Sequence, residues 1–252
     1  GVPKERVQRG DVLARPGEVS PTHLIDAKFR YLSSSKAPLK NRNRVLIHHA
    51  TSQVMATLIL VDRETLLPGE EALIQLRFDA KEPLAALPGD HFIARGFVVQ
   101  KHYGTTLGGG EVVRVQAPKV RRSQEEAKAV VKEFAEADGD DRVALEVLGR
   151  AHKGITMDDL QQRLNIAEGA LTKSLRRLVK AKTIIQCKGS LQNTLVIHHS
   201  SFEELEKSAL GYLKRFHETF PHKEGMSKEE VRARLPNAMP GKVFEALNNA
   251  LV

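Results

Sequence analysis

Residues 87–113 read LPGDHFIARGFVVQKHYGTTLGGGEVV, and this stretch decides how the first half of the chain folds. It contains a Pro-Gly turn, an alternating strand, a basic loop, three consecutive glycines and a closing strand. Because glycine has no side chain, the backbone at Gly108, Gly109 and Gly110 can adopt unusual dihedral angles or approach another molecule closely. The triplet therefore predicts either a bulge at a barrel corner or a backbone surface that contacts a ligand.

Short alternating runs surround this stretch. Ile25, Ala27, Phe29 and Tyr31 alternate with polar residues, the period of a half-buried strand. The tetrapeptides LPGE and LPGD predict type II turns, since proline presets the first central dihedral angle and glycine takes the positive φ that follows. The expected strands are 25–31, 45–49, 55–61, 72–78, 91–95 and 111–115. Six short strands at this spacing predict an antiparallel barrel or sandwich.

The first 18 residues do not continue the pattern of alternating strands. Residues 11–14, Asp-Val-Leu-Ala, predict a short strand that ends at Pro16-Gly17, after a polar lead-in. We expect residues 1–18 to be the end of a preceding β-domain, and both ends of the chain to continue in a longer protein.

The second half of the chain predicts helices. A capping box at Ser123 and Glu126 is expected to start a connecting helix within residues 119–139. Further helices are expected at 142–152, 157–164 (capped by Thr156) and 168–181, followed by strands at 184–186 and 195–197 around a turn at 189–193. Helix, helix, turn, helix and β-hairpin is the order of a winged helix-turn-helix, here within residues 140–200.

A second winged-helix module, lacking its wing, is expected at residues 201–252. Ser201 and Glu204 predict one capping box, and Ser227 and Glu230 predict another. Pro240 is well placed to open a last helix.

One helix carries a basic face. Four cations lie at helical spacing opposite the apolar stripe Leu171, Leu175 and Leu178: Lys173, Arg176, Arg177 and Lys180. Such a face fits a nucleic-acid groove, but it is equally what a solvated helix face looks like.

Charge and composition limit the classes of function. The chain has a net charge of +8, and residues 1–122 hold 19 Lys and Arg against 12 Asp and Glu, so a polyanionic partner should bind mainly there. No apolar run approaches the roughly 18 residues of a membrane span. The one cysteine, Cys187, excludes an internal disulfide and fits a reducing compartment such as the cytoplasm.

Catalytic and metal-binding motifs are not found in the sequence. There is no G-x-x-x-x-G-K-[ST] loop to hold a nucleotide, so we expect no cofactor and no enzymatic activity in this chain. His48-His49 and His198-His199 predict no metal site, because adjacent residues on a strand point to opposite faces.

Several motifs in order carry a resemblance to a known family. RGDVLARPG at residues 9–17, a basic loop at 35–44, a PGD turn and TTLGGGEVV resemble the end of domain 2 and all of domain 3 of elongation factor Tu-like translational GTPases. The triple glycine and the following winged helices are similar to the bacterial selenocysteine-specific elongation factors, whose middle glycine position is alanine in the wider family. The resemblance implies a multidomain β + α protein: a six-stranded antiparallel β-barrel at residues 19–118, followed by tandem winged-helix modules.

The resemblance also implies partners. The barrel would contact selenocysteinyl-tRNA through nine residues: Lys36, Lys40, Arg42, Arg44, Thr105, Thr106, Gly108, Gly109 and Gly110. GTP and Mg²⁺ would be held by a GTPase domain outside this chain, a selenoprotein mRNA hairpin would be bound mainly by later winged helices, and the ribosome would be a further partner. The family likeness suggests a monomer. The alternative is a winged-helix DNA-binding regulator with a β-barrel accessory domain, in which DNA binding depends on Arg176 and Arg177.

Overall fold

The computed structural model describes residues 3–100, 104–119, 125–187, 194–223 and 225–251. The chain divides into two compact units, one formed by residues 1–137 with 162–165 and the other by residues 138–161 with 166–252. Ser123, on which the expected capping box depends, and the turn at 189–193 lie outside the described residues. Among the described residues, no helix combines the length and apolarity needed to cross a bilayer.

The first unit is a closed antiparallel barrel, as predicted. Its strands are β1 (Leu24–Tyr31), β2 (Leu39–Lys40), β3 (Asn43–His49), β4 (Ser52–Leu60), β5 (Thr65–Leu66), β6 (Glu71–Phe78), β7 (His91–Gln100) and β8 (Gly104–Val115). Six of them close in the order β1-β6-β4-β3-β7-β8, while β2 and β5 form a separate two-stranded sheet. The barrel core consists of the inward side chains of these strands, including Ile25, Phe29, Ile47, Ile74 and Phe92.

Both LPG turns form as predicted. Gly69 and Gly89 have φ values of +88° and +92°, which side chains rarely tolerate. In each turn the acidic fourth residue accepts the first residue's N–H: Glu70 Oε2 from Leu67 and Asp90 Oδ2 from Leu87, both at 2.8 Å. The repeated tetrapeptide is therefore one turn design used twice.

In the first unit, three predicted strands differ most from the structure. Residues 11–14 form no strand, and Leu13 is fully exposed, because no described strand lies beside this segment to complete its hydrogen bonds. Strands β7 and β8 are each longer than expected, since they pair with each other as far as Gln100 and Gly104. The glycine triplet therefore lies inside β8 rather than before it.

The first unit also contains a helix, α1 (Glu125–Glu136). Phe134 on its buried face lies under the guanidinium of Arg114 from β8, with Cζ 4.4 Å from the ring centroid. Lys132 Nζ lies 3.3 Å from Asp62 Oδ2 on the exposed side. A cation–π contact and an ion pair thus hold α1 against the barrel.

The second unit begins with a winged helix. Its elements are α2 (Gly139–Leu148), β9 (Ile155–Thr156), α3 (Met157–Leu164), α4 (Glu168–Lys180), β10 (Ile184–Cys187) and β11 (Leu195–His198), with the sheet order β10-β11-β9. Thr156 caps α3 as predicted, accepting the N–H of Asp159 at 3.2 Å. Strand β9 was not predicted, because two residues are too short to show a period. Helix α2 was expected at residues 142–152, but it begins before Arg142 and ends at Leu148.

Three further helices follow: α5 (His199–Thr219), α6 (Lys228–Arg234) and α7 (Gly241–Leu251). The capping box of Ser227 and Glu230 is confirmed. The predicted cap at Ser201 is wrong: α5 begins at His199, His198 is its N-cap, and Ser201 is buried. Cys187, Leu195 and Ile197 of the wing share one hydrophobic core with Phe202 and Phe244 of these helices.

Candidate nucleic-acid interfaces

The basic loop after β1 is folded onto the barrel. Tyr31 Oη donates a hydrogen bond to Ala37 O at 2.8 Å, and the Leu32 N–H donates to Leu107 O at 2.9 Å. The second bond joins the residue just before the loop to β8, next to Thr105 and Thr106. Two separate segments of the predicted site are therefore neighbours in the structure.

Three of the predicted cations in this region are exposed. Lys36 lies in the loop, Lys40 on β2, and Arg42 in the turn to β3, where it has a φ of +62°. None of the three forms a salt bridge with a carboxylate in the part of the chain that the structure describes. They are available to an anionic partner.

Arg44 differs from these three cations. Its guanidinium makes a bidentate contact with Asp79, with Nη1 2.9 Å from Oδ1 and Nη2 2.8 Å from Oδ2. Hydrogen bonding to Asp79 raises the pKa of Arg44, and the same contact lowers the pKa of Asp79. A phosphate at Arg44 would have to compete with this carboxylate.

The two threonines lie in β8. Thr105 Oγ1 accepts a hydrogen bond from Arg95 Nε at 2.9 Å, and Thr106 is the register partner of the same Arg95. Both threonines are partly exposed. Arg95 thus adds a cation to the site that the sequence did not predict.

The glycine triplet is regular strand, paired on both sides. Gly108, Gly109 and Gly110 lie opposite Tyr31, Arg30 and Phe29 of β1, and opposite residues 94, 93 and 92 of β7. The register shifts of β8 occur on either side of the triplet, between Ala94 and Arg95 in the pairing with β7 and between Asp26 and Ala27 in the pairing with β1. The prediction of a bulge at the triplet itself is wrong.

Two of these glycines are required by packing. A Cβ at Gly108 would lie 2.1 Å from Arg30 O and 2.8 Å from Phe29 Cζ, and one at Gly110 would lie 2.2 Å from Lys28 O and 2.8 Å from Phe92 Cζ. At Gly109 the nearest atom is Phe92 O at 3.0 Å, a tight contact that a small shift relieves. Packing therefore requires glycine at positions 108 and 110 but not at 109, where a role at the surface remains open.

Sequence reasoning missed the residues around Gly109 on the outer face. Lys28 and Arg30 of β1 are exposed, Arg30 is the register partner of Gly109, and Ile93 on its other side is 51% exposed. Among the residues that the structure describes, the acid that Arg30 contacts is Glu71, at 3.8 Å, with both side chains mostly in solvent. The polar positions of the alternating β1 strand were the signal that could have found these cations.

One of the four cations on the basic face of α4 forms an ion pair. Arg177 donates through Nε and Nη2 to Asp140 of α2, both at 2.6 Å, which holds the pKa of Asp140 at about 2. Lys173, Arg176 and Lys180 remain exposed. All four predicted cations are thus exposed, but Arg177 also joins α4 to α2 through its ion pair.

Beside these cations lies a groove of about 320 Å³ between α4 and the wing. Leu175 and Val179 of α4 and Val196 of β11 form apolar walls, and Arg176 and Lys180 lie at the edge. Leu175 was predicted to share the buried stripe, but Ser174 takes its place in the interior with Leu171 and Leu178. The apolar stripe is therefore rotated toward the wing.

One histidine of the first pair contacts an acidic side chain. His49 Nε2 lies 2.9 Å from Asp90 Oδ2, which ties the β3–β4 end to the LPGD turn. No group of three or more His, Cys, Asp or Glu residues in the described segments is placed to bind a metal ion.

Comparisons with known proteins agree with this architecture. The family model described as the β-barrel domain of the selenocysteine-specific elongation factor matches residues 26–119, and that described as the winged helix of elongation factor SelB matches residues 210–252. A curated selenocysteine-specific elongation factor from Desulfomicrobium baculatum is 28% identical over 252 residues, which is 100% of this chain and 38% of the relative. A crystal structure of the bacterial selenocysteine-specific elongation factor EF-Sec shares the fold, with a TM-score of 0.64 at 16% identity over 99% of this chain and 35% of that chain.

The family models that match the barrel and the winged-helix region are both models of translation elongation factor domains. Within that class, the chain belongs to the family of selenocysteine-specific elongation factors. It spans little more than a third of the length of the relatives it matches. A DNA-binding regulator, the alternative that the basic helix left open, lies outside this family.

Proposed function

We propose that this chain is the part of a selenocysteine-specific elongation factor that binds selenocysteinyl-tRNA and connects it to the mRNA side of the complex. In the whole protein, a GTPase domain would bind GTP with Mg²⁺ and deliver the tRNA to the ribosome at UGA codons. This chain's own residues would hold the tRNA backbone. The proposal places the protein in the cytoplasm, as a monomer.

One observation carries the proposal: the segment that leads into the basic loop is hydrogen-bonded to β8 next to its two threonines. The hydrogen bond from Leu32 to Leu107 joins the two segments, and Lys36, Lys40 and Arg42 have no described carboxylate partner. Phosphates are held in proteins by such lysines and arginines together with hydroxyl and backbone N–H groups. Thr105, Thr106 and the outer backbone around Gly109 would supply the neutral contacts.

The winged-helix unit has a different role in this proposal. Its wing and helices α5 to α7 share one core, so they form a rigid connection rather than two independent modules. The selenoprotein mRNA hairpin would be bound mainly by further winged helices of the whole protein. Lys173, Arg176 and Lys180 would add a weaker, nonspecific attraction for RNA.

The test is binding of selenocysteine tRNA to the full chain, measured by fluorescence anisotropy over a series of salt concentrations. Each lost phosphate contact lowers the slope of log K against log salt by roughly 0.7–0.9. We expect the double variant Lys36→Ala/Lys40→Ala to bind more weakly and to lose about 1.4–1.8 from this slope. The matched control, Lys81→Ala/Lys207→Ala, removes two exposed lysines elsewhere. Equal affinity and slope for both double variants would refute the proposal.

A further inference from the structure

A second polar concavity lies in the first unit, away from the threonine segment. It is a cleft of about 570 Å³ between the outer face of β4 and β6 and the start of α1. Five cationic and three acidic side chains line it among the described residues, together with the apolar edge of β4. This volume falls within the range of natural ligand sites.

Two of the three carboxylates in the cleft are neutralised by cations beside them. Asp62 contacts Arg63 at 3.1 Å and Lys132 of α1 at 3.3 Å, and Glu125 contacts Lys128 at 2.6 Å. Burial raises the pKa of Asp62, but these hydrogen bonds outweigh it and hold that pKa below its ordinary value. The third carboxylate, Glu64, also lines the cleft.

Three cations of the cleft take no part in these ion pairs: Arg42, Arg77 and Lys119. All three line the cleft and are exposed, and none forms a salt bridge with a carboxylate in the described ranges. They come from three distant parts of the chain: the turn before β3, the outer face of β6 and the segment after β8. Side chains from separate segments that converge on one concavity are not the product of a local run of basic residues.

The backbone around the cleft is held in place by buried hydrogen bonds. Gln75, which is fully buried, donates through Nε2 to Asp26 Oδ1 and to Pro118 O, both at 2.8 Å. This fixes the segment that carries Lys119. Asn41 Oδ1 accepts the Leu60 N–H at 2.9 Å, and the Asn41 N–H donates to Glu64 O at 2.8 Å, which fixes the turn that carries Arg42.

We propose that this cleft is a second phosphate-binding site, in which Arg42, Arg77 and Lys119 contact the sugar–phosphate backbone of an RNA strand. The inference rests on the proposed function and extends its RNA surface from the basic loop, through Arg42, to the region beside α1. Free nucleotides carry the same phosphate chemistry, but proteins usually hold their phosphates with glycine-rich loops and helix N-termini. Long cationic side chains spread along an open cleft are typical of contacts to a nucleic-acid backbone.

The experiment compares Arg77→Ala/Lys119→Ala with the unchanged chain and with Lys81→Ala/Lys207→Ala. Arg42 is left intact because both proposed surfaces use it. With labelled selenocysteine tRNA at low salt, we expect the cleft variant to bind roughly tenfold more weakly and to lose about 1.4–1.8 from the salt slope. Unchanged affinity and slope in a variant with a native circular dichroism spectrum would overturn the inference.

Two comparisons separate this inference from the proposed function. If Lys36→Ala/Lys40→Ala weakens binding and the cleft variant does not, the cleft is refuted while the proposed function stands. If neither variant differs from the control, both fail. Displacement of tRNA by millimolar GTP from the unchanged chain but not from the cleft variant would assign the cleft to a free nucleotide, which also overturns its assignment to RNA.

Discussion

The rings of Phe29 and Phe92 stack inside the barrel, with centroids 6.4 Å apart and planes within 7° of parallel. Both rings reach the backbone of β8, where Gly108 and Gly110 leave room for them. This packing accounts for the absence of a side chain at two of the three glycines. It also explains why the family resemblance places alanine only at the middle position, since Gly109 has the least crowded Cβ position of the three.

The stacking makes a prediction about stability. Gly108→Ala and Gly110→Ala should each lower the free energy of unfolding by about 1–3 kcal/mol or more, because the new methyl group collides with backbone and ring atoms. Gly109→Ala should cost less than about 1 kcal/mol, because one small shift relieves its single tight contact. Urea unfolding of the three variants tests this. Equal costs at all three positions would contradict the packing explanation.

The ion pair between Arg44 and Asp79 makes a prediction about RNA binding. Asp79→Asn should release the Arg44 guanidinium and remove a negative charge from the same surface. We expect tRNA binding to become tighter and the salt slope to become steeper by up to about 0.7–0.9. The control is Glu82→Gln, a nearby exposed acid with no described contact to Arg44. A slope that rises equally in both variants would indicate a general charge effect.

The pair between Arg177 and Asp140 predicts a pH dependence of stability. The pKa of Asp140 falls from 3.8 to about 2 on folding, so the stabilisation is fully present above pH 3.8 and is lost as the pH falls toward 2. Asp140→Asn should therefore unfold at lower urea than the unchanged chain at pH 7, and the difference should shrink between pH 4 and pH 2. A difference that stays constant down to pH 2 would exclude this titration as its source.

The end of α4 predicts a stabilising substitution. Lys182 has a φ of +58°, and the Thr183 N–H donates to Leu178 O while the Lys182 N–H donates to Val179 O. This is the Schellman arrangement, in which glycine is the usual residue at the left-handed position. Lys182→Gly should raise the free energy of unfolding by about 0.5–1 kcal/mol. Lys173→Gly, an equal loss of charge inside the helix, should instead lower it by about 1 kcal/mol.

The core shared by the wing and helices α5 to α7 predicts the behaviour of Cys187. Burial raises the pKa of this thiol to about 11, so iodoacetamide should not modify it at pH 8 while the unit is folded. Phe244→Ala should destabilise the shared core by about 3–5 kcal/mol and make Cys187 reactive. Mass spectrometry of the alkylated protein reports both results. Rapid modification of the unchanged chain would show that the wing core opens independently.

Much of this fold could be predicted from local patterns. The alternation in β1, the two LPG turns, the cap at Thr156 and the capping box at Ser227 depend on neighbours within a few residues, so the sequence specifies them directly. Where prediction failed, at residues 11–14, at β9 and at Ser201, the outcome depended on whether a strand partner or a buried environment was present.

The candidate interfaces likewise depend partly on local sequence and partly on tertiary contacts. The sequence by itself determined the order of short antiparallel strands followed by a winged helix, the two turns and the basic character of the first half, because these follow from local periodicity and charge. Only the tertiary structure decided which cations remain available: Asp79 and Asp140 lie 35 and 37 residues from Arg44 and Arg177, and their contacts arise from strand register and helix packing. It also decided that Gly108 and Gly110 serve packing, because the rings that need the space come from β1 and β7, which only the closed barrel brings to β8.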